Sequence, residues 1–275
     1  SNDLSCTVIK KVYIDTRFKT SESKSDSDFY VELPMTVNIP DRCVCYIDDI
    51  VIPVSWTSVK EKNNNIYMRV QVGESYVSDI VMEIGNYSGI SFAVELQRAV
   101  NLPLNTLSLS LAVTYDVRNN KFKFLLSDNR ANQGGGSDVV ILADSEVLFD
   151  GFSPATTNSI NSALRLQKSV EIRSGIPYYS YLDLHTVRNL YLSSSSLGSF
   201  NTISNFGSDV IIKKIPARFN YNEMLFDNSV SGYDYADVSK RSLKRVDFRL
   251  QDSFGNIINL NENHWSFSLI FQLLD

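Results

Sequence analysis

The sequence predicts a mainly β protein, an antiparallel sandwich or barrel, on three observations. About a dozen short stretches alternate apolar and polar residues with period two. Clusters of Gly, Pro, Asn and Asp separate those stretches, as turns between strands require. The aromatic complement is high, with 14 Tyr, 15 Phe and 2 Trp in 275 residues, and aromatic side chains suit a pleated, half-buried surface.

In order, the expected strands are "TVIKKVYI" (7–14), "FYVEL" (29–33), "CVCYIDDIVIP" (43–53), "NIYMRVQV" (65–72), "DIVMEI" (79–84), "LSLAVTYDV" (109–117) and "KFKFLL" (121–126). Later ones are "DVVILA" (138–143), "KSVEIR" (168–173), "NLYLSS" (189–194), "DVIIKKIP" (209–216) and a closing set from Leu243 onward. In that closing set Phe248 and Leu250 alternate with polar residues, "DSFGN" supplies a turn, and "IINL" resumes a short strand. The last stretch is the most strongly patterned. Trp265, Phe267, Leu269, Phe271 and Leu273 share one parity while Ser266, Ser268 and Gln272 take the other, so a strand there presents five large apolar groups to a core.

One stretch follows a different period. In "SGISFAVELQRAVN" (88–101), Phe92, Ala93, Leu96, Ala99 and Val100 share a helical face. Ser88 is the expected N-cap, and Asn101 with Pro103 the expected end. Two strands joined at "RNN" follow, so residues 74–150 read as an inserted α+β module. Residues 7–73 and 165–275 then form the main sandwich, with 151–164 as a linker.

Composition narrows the function. Lys and Arg total 26 against 31 Asp and Glu, a net charge of −5 with the signs interspersed, which provides no footprint for duplex nucleic acid. A local basic patch stays open at 9–11, 211–214 and 240–245, stretches that read first as solvated strand edges, and no direct sequence-specific contact with nucleic acid is expected. Cys6, Cys43 and Cys45 are too few, and odd in number, for a disulfide scaffold; Cys43 and Cys45 read as small buried residues on one strand face. No apolar run reaches the ~20 residues of a membrane helix, so the chain is expected to be soluble. The sequon at Asn86 matters only in a secreted protein.

Catalytic signatures are missing. His185 and His264 have no G-x-S-x-G elbow near them. Gly134, Gly135 and Gly136 lack the Lys-Ser/Thr of a P-loop. The acidic clusters at Asp26 and Asp28, Asp48 and Asp49, Asp144 and Glu146, and Asp234 and Asp237 lack the twelve-residue calcium loop. The expectation is a protein that is not an enzyme, with no catalytic, cofactor or metal residues.

What remains is surface. "IPYYSYLDL" (176–184) and "SGYDYADV" (231–238) combine aromatic and polar groups as interfaces do. Tyr178, Tyr179, Tyr181, Tyr233 and Tyr235 are therefore candidate interface residues, joined by Phe200 and Phe206 in the long Ser, Gly and Asn connection 193–209. That connection and residues 127–138 are the expected exposed tips.

Two stretches carry a family resemblance. One is "VYIDTRFKTSESKSDSDFYVELPMTVNIPDRCVCYIDDIVIPVSWTSV" (12–59), with its polar loop, "FYVELP" and "DDIVIPVSW"; the other is "SLKRVDFRLQDSFGNIINLNENHWSFSLIFQ" (242–272). Together they resemble the minor capsid, or penton, proteins of Polinton (Maverick) elements and the related adintoviruses. The resemblance implies a jelly-roll β-sandwich that forms a homopentamer at icosahedral vertices beside a separate double-jelly-roll major capsid protein. The expected location is the virion, after assembly in host cytoplasm or nucleus. Two alternatives stand beside it: a jelly-roll subunit related to the major capsid protein, and a lectin-like sandwich that contacts a glycan or receptor through its Tyr-rich segments.

Overall fold

The structure, a computed structural model, describes residues 7–59, 67–73, 76–129, 138–141, 160–166, 168–185, 187–205, 207–208, 210–218 and 220–274. The chain folds as two units: Ser1–Trp56 with Val187–Asp275, and Thr57–Thr186. In chain order the first unit begins with β1 (Thr7–Asp15), β2 (Asp28–Asn38) and β3 (Cys43–Pro53). The second supplies β4 (Tyr67–Val72), β5 (Tyr76–Val81), helix α1 (Gly89–Leu104), β6 (Leu109–Asp116), β7 (Lys121–Asp128), β8 (Val139–Ile141), the short helix α2 (Ile160–Ala163), β9 (Val170–Ile172) and β10 (Tyr178–Tyr181). The first unit then resumes with β11 (Asn189–Ser193), β12 (Ile211–Pro216), β13 (Met224–Asp227), β14 (Ala236–Asp237), β15 (Ser242–Gln251) and β16 (Ser266–Leu273).

Strand order in the first unit identifies its topology. β13 and β14 pair with opposite ends of β3, Met224 with Pro53 and Asp237 with Val44, so they fill one place in the sheet. Counted along this unit, the places run 1-8-3-6 in one sheet (β1, β16, β3, β13 with β14) and 5-4-7-2 in the other (β12, β11, β15, β2). All neighbours are antiparallel. Successive strands dealt between two sheets in this order make a jelly roll.

The core lies between those sheets. Trp265, Phe267, Leu269 and Phe271 all face into it, each at most 3% exposed, and burying each such side chain contributes roughly 1.5–3 kcal/mol. Leu273, the last residue of β16, is only half-buried. Aromatic rings knit the centre: Phe248 meets Phe267 edge-on at 4.8 Å and Phe29 meets Trp265 at 5.7 Å. The Trp265 indole N–H donates to the Asp26 carbonyl at 2.6 Å, so even the polar end of that ring is satisfied.

"DSFGN" turns as expected. Asp252 accepts from the backbone N–H groups of Phe254 and Asn256 at 2.8 and 3.0 Å, and Gly255 takes φ +82°, a value an L side chain resists. "IINL" is a single bridge, Gln251 to Ile257, rather than a strand; Ile258 and Leu260 nevertheless reach the core.

The second unit is built on two sheets, β10-β7-β6 and β5-β4-β8-β9, with α1 against β6. Ser88 caps α1 in a reciprocal capping box with Ser91, and all five residues expected on the buried face are buried. The helix continues past its expected stop at Asn101 through Pro103 to Leu104. Asn101 does not break it because its side chain is occupied outside the helix, bonding both backbone groups of Leu111 at 2.9 and 2.7 Å. Gly89 admits the Tyr115 ring, which would lie 2.1 Å from any Cβ there.

The unit boundaries differ from the expected 73/74 and 164/165. β4 pairs with β5 and β8, β9 with β8, and β10 with β7, so residues 67–72 and 170–181 belong to the inserted unit. The expected linker 151–164 is described only from Ile160, and Ile160 and Leu164 are buried in the inserted unit's core.

Candidate interaction surface

The long connection 193–209 divides into a pinned half and an exposed half. Asp247, on β15, accepts from the backbone N–H groups of Ser195 and Ser196 at 3.0 and 2.8 Å and from the Ser196 hydroxyl. Burial alone would raise the Asp247 carboxyl, but these hydrogen bonds hold it below the ordinary carboxylate value. Arg241 clamps the same turn, donating to the carbonyls of Ser196 and Gly198 at 2.6 and 2.9 Å. Ser194 and Leu197 are consequently fully buried. Beyond them the chain opens: Phe200 is 65% exposed at φ +57°, and Ile203 is 98% exposed.

Of the tyrosine candidates, Tyr233 is wholly exposed on a 3-10 turn, Gly232–Asp234, and its backbone N–H donates to the capping Ser231 hydroxyl at 3.2 Å. Tyr235 instead stacks on Tyr46 with centroids 4.9 Å apart. On β10, Tyr179 and Tyr181 point out, 54% and 56% exposed, whereas Tyr178 turns in towards Phe124 at 6.3 Å. Phe206 lies outside the described residues, as do Cys6, the triple glycine, Asp144 and Glu146. The expected tip at 127–138 is described only at its two ends.

Sequence reasoning missed three exposed groups on the outer face of the β1-β16-β3-β13 sheet: Tyr13, Met224 and Phe226, at 77%, 54% and 52% exposure. Parity carried the signal for Tyr13, which sits between inward Val12 and Ile14. The strand around Phe226 is four residues long and offers too little alternation to read.

Among the described residues the contacts of the two histidines do not assemble a nucleophile relay. His264 Nδ1 lies 3.1 Å from Asp26 Oδ1 and 3.4 Å from Thr16 Oγ1. Both contacts fall on one ring nitrogen, while a relay needs base and orienter on opposite nitrogens. Asp26 also accepts from Lys19 at 2.8 Å; burial alone would raise its carboxyl, and the Lys19 and His264 bonds bring it below the ordinary value. His185 is exposed beside Asp183. Cys43 and Cys45 are buried, and burial pushes the Cys45 thiol up to about 12, far from a thiolate at neutral pH. Among the described residues no three His, Cys, Asp or Glu side chains gather as metal ligands, and no helix is long and apolar enough to cross a membrane.

No protein-family profile and no curated protein matches the chain. Among solved structures, the chain is similar to the penton protein of mavirus, with a TM-score of 0.52 at 10% sequence identity, over 96% of this chain and 99% of that one. The likeness is one of fold, and it spans nearly the full length of both proteins.

Proposed function

We propose that this chain is a structural capsid protein, a penton-type vertex subunit related to those of Polinton-like elements, whose work is the association of surfaces. The observation that carries the reading is topological. A jelly roll interrupted between its third and fourth strands by a second unit is similar, along 96% of the chain, to a viral penton protein. A bare sandwich supports many roles; full-length likeness to a vertex protein favours this one.

In this reading five copies associate head to tail, through two different patches on each subunit, and the ring docks to a major capsid protein in the virion. Phe200 and Ile203 on the open half of the 193–209 connection, and Tyr233 on its 3-10 turn, are the proposed contacts. Tyr13 at one edge of the β1-β16-β3-β13 sheet, and Met224 and Phe226 at the other, add exposed apolar groups to the jelly roll, and aromatic residues and Met are enriched at interface centres. Co-expression with a double-jelly-roll major capsid protein tests the role. Electron microscopy should place the chain at the five-fold vertices of the resulting particles, and particles that close without it would remove the proposal.

A further inference from the structure

The β10-β7-β6 sheet of the inserted unit has one face in the core and one outside. Val113, Phe122 and Phe124 point inward with the helix. Outside, register sets Thr114 beside Lys123 beside Tyr179, and Asp116 beside Lys121 beside Tyr181. The two tyrosines are two residues apart on one strand, so their rings project from the same face about 7 Å apart.

The register places two lysines and one acid, Asp116, on this face. Among the described residues neither Lys121 nor Lys123 has a carboxylate at ion-pair distance. Asp116, the acid in register with Lys121, spends its oxygens on the adjoining turn, accepting from Arg118 N at 2.9 Å and Asn119 Nδ2 at 2.7 Å. Lys121 turns instead to Tyr181, its Nζ 5.7 Å from the ring centroid. Ala112 and Thr114 on β6 are small and exposed, leaving a low strip beside the taller lysine and tyrosine rows.

Aromatic rings alternating with ammonium groups that have no carboxylate at ion-pair distance match one ligand chemistry: unpaired bases joined by phosphates. We propose that this face binds single-stranded nucleic acid without regard to sequence, bases stacking on Tyr179 and Tyr181 and phosphates meeting Lys121 and Lys123. A neutral glycan would use the rings and leave both ammonium groups unanswered. The inference does not rest on the vertex reading, because a monomer carries the whole face.

The test is fluorescence anisotropy of a labelled oligothymidylate with the full chain, at concentrations where mass measurements find monomer, across a salt series. Tyr179→Ala and Tyr181→Ala should each weaken binding roughly tenfold. Lys123→Gln should reduce the slope of log K against log salt by about 0.7. Tyr233→Ala, on the other unit, should change neither. Of the substituted side chains Tyr179 and Tyr181 are exposed and Lys123 is half-buried, so the variants should keep the wild-type melting temperature. Absence of binding at low salt, a salt-independent affinity, equal affinity for the duplex form, or an equal loss from Tyr233→Ala would each overturn the proposal.

Discussion

Lys213, on an edge strand of one jelly-roll sheet, meets Asp227 on an edge strand of the other. The lysine is on β12 in one sheet and the aspartate ends β13 in the other. Lys213 is 2% exposed; its ammonium donates to the Ser229 carbonyl at 2.7 Å and lies 3.5 Å from Asp227 Oδ2. Burial alone would raise the Asp227 carboxyl, but hydrogen bonds from Ser229 and the Lys213 charge hold it below its ordinary value, so the pair is ionic. Removing one partner leaves a charge buried without its complement. Lys213→Met should therefore cost about 3 kcal/mol, read as a lower urea midpoint at constant m-value. The double variant Lys213→Met with Asp227→Leu should recover most of it. A double variant no more stable than the single one would refute the ionic account.

Asp247 should make the fold sensitive to acid. Its folded-state carboxyl is held down, so its stabilisation is present above the unfolded value of about 3.9 and is lost as pH falls through the lower folded value. Asp26 and Asp227 shift in the same direction. Thermal melts of the wild type should fall steeply below about pH 4. Asp247→Asn should flatten that dependence and cost about 2 kcal/mol at neutral pH. Hydrogen exchange should then rise first at residues 194–198.

Core and surface aromatics should separate cleanly. Phe267→Ala opens a cavity among Phe248, Trp265 and their neighbours and should cost about 3–5 kcal/mol. Tyr233→Ala and Tyr13→Ala, at exposed positions, should change stability by less than about 0.5 kcal/mol. If either contributes to a subunit contact, its effect will appear in association instead.

How much of this was legible beforehand follows from what each signal measures. Alternation at 265–271 located the closing core strand because period two reports a buried face directly. The capping residue and apolar stripe of α1 were equally local, and both read correctly. Partnership is not local: β4 alternates like any strand, and nothing in "YMRVQV" reveals that it pairs with β5 and β8 instead of the jelly roll. The unit boundary therefore moved from residue 73 to Trp56. Composition misled at "SSSSLG", where serines that suggest an exposed loop are held by Asp247 and Arg241, residues about 45–50 positions away in sequence. Tyr178 and Tyr179 illustrate the same limit in the candidate surface, since adjacent residues on a strand face opposite ways and only register decides which is exposed.

The cysteines offer a simple check on the first sheet. With Cys45 pushed up to about 12 and Cys43 raised by burial as well, neither should react quickly with a thiol reagent while the protein is folded. In a Cys6→Ser background, labelling at neutral pH should wait for denaturant. Immediate labelling would mean that β3 is not the buried strand described.

Mass is the most direct test of the proposed vertex role. Measured by mass photometry and by sedimentation at rising concentration, the chain of 31.0 kDa should populate a species of five times that mass, and Phe200→Ser or Tyr233→Ala should reduce it without lowering the melting temperature. A species of three times the mass would point to a trimeric, major-capsid-like subunit, and a strict monomer at every concentration, with or without a major capsid protein present, would contradict the vertex account.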